Sequence, residues 1–419
     1  MTSRPATPPN ETPAKRKHHR FHYVSTVAEW VEAYHPDGFH PVHLDDVLDH
    51  RYRVIRKLGY GSFSTVWLAV DQVSSRHVAV KVIRAADSPK PQEVAVYQYL
   101  ARPETKPTGR RNIAMGPQAE LMLYKSPICQ DGDWWKRRFP IAWARRMLRD
   151  VLSGIHFLHT NGVVHGDLHL GNVLLTAKQL DVTSTAAETL KQNPAEGQAV
   201  RRLDDRTDLW APAYILPSKV LLDQVSFGLD PLVKLSDLGQ AFWESHPSSS
   251  LSTPPQLQAP EALLGGRLGR GVDLWSFGCL VFELITGQSL FRINQLEGNR
   301  FDEEFNDQHL LEALDVTQQR LPSHLWAQWK RSGSYFGADG KRREATGPTS
   351  DEESYGNGGD PLDLDYDSDV LGQDTGQPVP LASAERYDPL EVQFTAARPV
   401  DMDEREAPWC SGSCAACCS

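Results

Sequence analysis

The chain has 419 residues, with 44 Lys plus Arg against 54 Asp plus Glu, so its formal net charge is −10. Hydrophobic residues make up 40% and charged residues 23%, a globular balance that excludes wholesale disorder and a collagen-like repeat. The longest strongly apolar stretch, around Cys279–Ile285, falls far short of the roughly 20 residues of a membrane helix, and an acidic chain is a poor generic nucleic-acid binder that suits basic partners.

Residues 1–20 are rich in Pro, Thr and base, ending Ala14-Lys15-Arg16-Lys17-His18-His19-Arg20. This run fits a nuclear-import signal or a solvated tail; no apolar run follows, so no secretory signal is expected. From Tyr52 the texture changes. Tyr52–Leu58, Val66–Val70 and His77–Ile83 are β-branched and apolar, separated by Gly, Ser and Asp, which predicts a three-strand meander. Glu93–Leu100 has helical spacing, with Val94, Tyr97 and Leu100 on one side. A second helix is predicted from Ile141 to His159, with Trp143, Met147, Val151, Ile155 and Leu158 as its buried stripe and Asn161-Gly162 as its stop. Residues 176–230 read as a long, mostly polar insertion. Asp273–Thr286 is apolar on nearly every face, so it is expected deep in a larger lobe. His309–Leu314 fits a short helix. Residues 351–370 hold eight Asp or Glu and no Lys or Arg, within a Gly-rich acidic loop over 341–383. Of six cysteines, Cys410, Cys414, Cys417 and Cys418 crowd the last ten residues. That distribution suits a reducing compartment, and the tail has no nearby His to complete a familiar zinc spacing.

Three sites carry chemistry. Gly59-Tyr60-Gly61-Ser62-Phe63-Ser64-Thr65-Val66 joins the first two strands, where glycines let backbone N–H groups approach phosphate oxygens. Val78-Ala79-Val80-Lys81 lies on the third strand. A Lys ending a buried strand is costly unless paired; Glu93 and a phosphate are its candidate partners. The second site is His165-Gly166-Asp167-Leu168-His169-Leu170-Gly171-Asn172, before the apolar Val173-Leu174-Leu175. Asp167 can accept a proton from a hydroxyl, and the Asn172 side-chain oxygen can bind a hard cation such as magnesium. The third is Val233-Lys234-Leu235-Ser236-Asp237-Leu238-Gly239, whose Asp237 offers another magnesium ligand. Ala259-Pro260-Glu261 and Asp273-Leu274-Trp275-Ser276-Phe277-Gly278 follow.

In this order the pieces resemble the protein-kinase family, and within it the SR-protein kinases of fungal type. Gly61-Ser62-Phe63-Ser64-Thr65-Val66-Trp67-Leu68, Asn161-Gly162-Val163-Val164-His165 and Trp275–Leu284 carry that likeness, together with the insertion before Asp237-Leu238-Gly239. The resemblance implies an α+β, two-lobed fold: a β-rich small lobe over 52–116 and a mainly helical large lobe over 117–407. An N-terminal extension over 1–51, partly disordered, and a Cys-rich tail over 408–419 flank them. It implies ATP and Mg2+ as cofactors. Leu58, Gly59, Gly61, Val66, Ala79 and Leu174 would surround the nucleotide, and Lys81, oriented by Glu93, would hold its phosphates. Asp167 would be the catalytic base, Asn172 and Asp237 the magnesium ligands, and Asp273 the brace of the catalytic loop. The implied reaction is serine/threonine phosphorylation of basic, Arg-Ser-rich splicing-factor-like proteins, by a monomer of cytoplasm and nucleus with no direct nucleic-acid or membrane contact.

The pattern also breaks. Gly166 stands where many kinases carry Arg, so dependence on activation-loop phosphorylation is not expected. His169 stands where a Lys is usual and supplies less charge. Between Leu100 and Met115 only 14 residues intervene, room for one strand at most, so part of the small lobe is missing. From Pro408 onward the family pattern stops, leaving Glu261 without its usual Arg. The two gaps and His169 motivate an impaired pseudokinase or scaffold as an alternative. The string His165-Gly166-Asp167-Leu168-His169 also resembles small-molecule phosphotransferases.

Overall fold

The computed structural model describes residues 19–87, 92–114, 139–175, 190–218, 233–292, 303–343 and 386–402. The predicted meander forms β2 (Tyr52–Tyr60), β3 (Ser64–Asp71) and β4 (Arg76–Ile83), preceded by a short β1 (Val47–Leu48). The four strands make one antiparallel sheet in the order β1-β2-β3-β4. Irregularities between Val54 and Arg56 and between Lys57 and Gly59 shift the β2–β3 register. That is why Ile55 and Leu58, three residues apart, share one cluster with Leu68.

Beyond β1, segments distant in sequence cover the outer edge of β2. Gln192 donates its backbone N–H to the Ile55 carbonyl (2.9 Å) and accepts the Lys57 N–H on its side-chain oxygen (3.0 Å). Leu190 closes the Ile55–Leu58–Leu68 cluster. Phe21, Val31, Tyr34 and Phe39 pack with Ala211 and Ile215, beside a two-strand ribbon of β7 (Gln198–Ala199) and β8 (Tyr214–Ile215). The polar reading of 176–230 therefore does not describe 190–217, which join residues 20–44 to cap the sheet. The basic run to His18, the acidic 351–370 segment and the Cys-rich tail lie outside the described residues.

After the meander, α1 (Gln92–Leu100) buries Val96 and Leu100, while Val94 is exposed. The expected stripe is thus rotated: this short helix is apolar on several sides, and the neighbour it meets selects the face. Helix α2 (Ile141–Thr160) buries Ala144, Met147, Val151, Ile155 and Leu158; Trp143 is only half-buried. Gly162, at φ +73°, turns the chain after it. Helix α3 (Arg270–Thr286) is buried on nearly all sides, as its composition requires. Helix α4 (Glu303–Thr317) runs well past the expected His309–Leu314. Helix α5 (Leu390–Ala397) seats Leu390 and Phe394 on the main core. The described part of the 101–114 connection contains no strand. It makes a helical turn over Arg110–Asn112 and one bridge from Ile113 to Leu235.

The result is a β-rich small lobe over a helical large lobe. Two ribbons join the main core with α2 and α3: β5 (Val163–Val164) with β10 (Phe242–Trp243), and β6 (Val173–Leu175) with β9 (Val233–Leu235). No helix of the described residues is long and apolar enough to cross a membrane.

Candidate active site

The β6–β9 ribbon fixes the site, because Asn172 enters it and Asp237 leaves it. Lys81 lies near the end of β4, opposite Val66 in register. Its Nζ lies 3.0 and 3.1 Å from the two Glu93 oxygens and 2.7 Å from Asp237 Oδ1. Burial pushes the Lys81 ammonium down, but the Asp237 and Glu93 carboxylates outweigh this and hold it above its ordinary value. Burial would likewise raise the Asp237 carboxyl. The Lys81 charge and the Gly239 N–H hold it below the usual range instead. Asp237 adopts a left-handed conformation (φ 60°, ψ 72°), a strained state for a non-glycine residue.

Asp273 of α3 holds the loop before β6 from below. Fully buried, it accepts the His165 N–H (2.8 Å) and the Gly166 N–H (2.9 Å), and its Oδ2 contacts His159 Nε2 at 2.7 Å. Gly166 has φ +74°, and a Cβ there would sit 2.7 Å from the Gln240 carbonyl. The loop and the segment after Asp237 thus pack too closely for a side chain at 166. That segment is pinned by the protein's own groups. Gln92 Nε2 donates to the Ala241 carbonyl (2.7 Å), Thr253 Oγ1 to Gly166 (2.8 Å) and Ser276 Oγ to Leu257 (3.1 Å).

Asp167 shows two unlike oxygens. Oδ2 lies 3.5 Å from Asn172 Nδ2 and 3.7 Å from His169 Nε2. Oδ1 is buried without a hydrogen-bond partner, an uncommon state for a carboxylate. Asn172 Nδ2 also donates to the Asp167 carbonyl (2.9 Å). The Asn172 side-chain oxygen and the half-exposed Asp237 carboxylate are each hard oxygen donors of the kind magnesium takes.

The structure therefore brings Lys81, Glu93 and Asp237 into one cluster and Asp167 and Asn172 into another. Neither Gly59 nor Gly61 has a positive φ, and a Cβ on either would meet nothing within 4 Å. The space beside both is therefore open to a ligand. Val66 and Leu174 are half-buried and Ala79 is exposed. Leu58 differs, being 1% exposed beneath Leu190. Glu261, pushed up by burial, has no ion pair among the described residues.

Sequence reasoning missed three residues that build the small lobe. Leu190 and Gln192 reach β2 from an insertion that gave no periodic signal. Lys57, in an apolar strand, is completely buried against Glu29; the rule that a Lys on a buried strand needs a partner, applied to Lys81, would have flagged it too.

The sequence matches the family described as protein kinase domain over residues 52–185 and 215–334. It is 28% identical over 338 residues to "Serine/threonine-protein kinase SRPK" of Physarum polycephalum, covering 75% of this chain and 77% of that protein. It is 25% identical over 416 residues to "Protein kinase dsk1" of Schizosaccharomyces pombe, covering 76% and 75%. Human "Dual specificity protein kinase CLK1" is 25% identical over 310 residues, covering 70% and 54%.

Proposed function

The chain belongs to the protein kinase family, and from that premise we propose that it moves the γ-phosphoryl group of ATP onto serine in basic, Arg-Ser-rich proteins. That it is a serine/threonine protein kinase follows from the family and from relatives of that name. The narrower substrate class rests on the likeness to SR-protein kinases and on the acidity of the chain, with eight acidic groups in 351–370. Shuttling between cytoplasm and nucleus, motivated by the basic run ending at Arg20, belongs to the same reading.

One arrangement carries the chemistry: the loop that presents Asp167 is held by Asp273 through the His165 and Gly166 N–H groups and by Asn172, whose Nδ2 donates to the Asp167 carbonyl (2.9 Å). In the proposed reaction the serine oxygen bonds to the γ-phosphorus, the bond to the β,γ-bridging oxygen breaks, and Asp167 takes the hydroxyl proton. Asp273 keeps the loop that carries Asp167 in place through two backbone N–H groups. Lys81, oriented by Glu93, faces the phosphates beneath the Gly59–Gly61 hairpin. Asn172 and Asp237 would hold magnesium, which neutralises phosphate charge when bound. Catalysis is then mainly positioning and electrostatics.

The test supplies purified chain and Asp167→Asn with magnesium-ATP and three acceptors: an Arg-Ser peptide, a generic basic protein and an aminoglycoside. Transfer to the peptide should fall by roughly 10²–10⁴-fold in the variant. Equal background in both proteins would leave the scaffold reading. Transfer only to the aminoglycoside would replace the substrate class.

A further inference from the structure

Helix α1 places Glu93 against Lys81 from its weaker end. The apolar residues that seat the helix on the main core begin only at Val96, with Tyr97 and Leu100 following. Gln92, Val94 and Ala95 are exposed, so apolar packing does not fix the first turn. A helix of nine residues is marginal on its own, and its first N–H groups have no intrahelical partners. Yet Glu93 lies in that turn, and both its oxygens meet the Lys81 ammonium.

One polar contact holds the turn. Gln92 Nε2 donates to the Ala241 carbonyl at 2.7 Å, across 149 residues of sequence. Ala241 is buried, and a buried backbone carbonyl needs a donor. Its own place is set from both sides. Its N–H donates to the Leu238 carbonyl (3.1 Å), and β10, paired with β5, begins at the next residue. The chain between Asp237 and Ala241 also runs against the ion cluster. A Cβ on Gly239 would lie 3.0 Å from Asp237 Oδ1, 3.6 Å from Glu93 Oε2 and 3.7 Å from Lys81 Nζ. Gln92 thus reaches from the start of α1 to a fixed point just beyond that cluster, and Glu93 is the next residue.

We propose that Gln92 is a positioning residue for phosphoryl transfer: its bond to the Ala241 carbonyl latches the first turn of α1 and so keeps Glu93 on Lys81. The inference deepens the kinase reading and rests on it for its effect on ATP; the latch itself does not. The latch acts on the free protein. Bound phosphates also draw Lys81 into place, so saturating ATP makes up part of a lost latch. One net hydrogen bond shifts such an equilibrium by roughly 2- to 12-fold.

Gln92→Ala and Gln92→Glu both remove the donor, and both residues are good helix formers. A side chain that only supported α1 would be replaced by either without loss. Hydrogen exchange on the full chain without nucleotide should show the α1 amides opening roughly 2- to 12-fold faster in both variants, with those of α3 unchanged. In peptide phosphorylation both should raise the KM for ATP by a similar factor, lower kcat less, and leave the KM for peptide alone. In a Glu93→Gln background, Gln92→Ala should add nothing further, because the latch acts through Glu93. Full protection of α1 in either variant overturns the proposal. So does a loss confined to kcat, or an undiminished effect of Gln92→Ala beside Glu93→Gln. Absence of transfer by wild type would sink the kinase reading and leave hydrogen exchange to decide the latch.

Discussion

Two lysines on strands of one sheet are built in opposite ways. Lys57 on β2 is fully buried; its Nζ meets Glu29 and the Leu216 carbonyl (3.1 Å), with the Trp67 and Tyr60 rings 5.6 and 5.7 Å away. Tyr34 holds the other Glu29 oxygen. Every partner is protein, and three distant segments meet there. Lys81 on β4 also pairs with carboxylates, but its side chain is 29% exposed and that of Asp237 44%. A sealed ammonium can only brace the fold. An ammonium whose carboxylates open to solvent can exchange one of them for a phosphate. Charge pairing alone does not distinguish structure from function; access does.

The sharpest way to break this contrast is the same substitution at both positions. Lys57→Met strands the Glu29 carboxylate in the interior, and breaking a buried pair from one side costs about 3–5 kcal/mol. That is a large share of a stability of roughly 5–15 kcal/mol. The thermal midpoint should drop steeply, and Glu29→Leu combined with Lys57→Met should recover most of it, since no charge is then left unpaired. A single variant as stable as wild type would show that the cap of residues 20–44 and 190–217 contributes little to the small lobe.

Lys81→Met should do the reverse. The half-exposed Asp237 can turn to water, whereas Glu93 at 14% exposed can do so only in part, so the midpoint should fall by clearly less than for Lys57→Met. Phosphoryl transfer should fall roughly 10²–10³-fold, the usual effect of removing one donor from developing charge. Initial rates and thermal melts on the same preparation check both halves. A melt shift as large as that of Lys57→Met would make Lys81 another brace.

The same contrast explains what the sequence disclosed. The strands around Gly59–Gly61, the buried helix at Asp273–Thr286 and the Lys81, Asp167, Asn172 and Asp237 positions were legible. Each couples a local hydrophobic pattern to polar residues that such a pattern does not tolerate without a reason. The cap over β2 was not. Phe21, Val31, Tyr34 and Phe39 share no period with Ala211 and Ile215, and β7 and β8 are two residues each. Contacts made across some 170 residues leave no local signature. Val94 failed differently: helical spacing marks α1, but the face was chosen by packing that no local pattern encodes.

Glu312 of α4 is a third case that bounds the other two: a buried carboxylate with no lysine. It is 2% exposed, and its Oε1 accepts the Arg292 backbone N–H at 2.9 Å. Burial pushes its carboxyl up to about 7, with Asp315 adding to the rise and Arg292 opposing it. The sign follows from linkage. Between the ordinary value of 4.5 and about 7 the folded chain holds a proton that the unfolded chain releases, so stability falls as pH rises through that window. Glu312→Gln keeps the acceptor and removes the titration. The variant should therefore gain on wild type as pH rises from about 5 to about 8, as charging the buried Glu312 comes to penalise wild type alone. Thermal midpoints of both proteins across that range decide it. Parallel curves would mean that water or a cation reaches Glu312, and that burial without a lysine partner does not by itself keep a carboxyl neutral in this lobe.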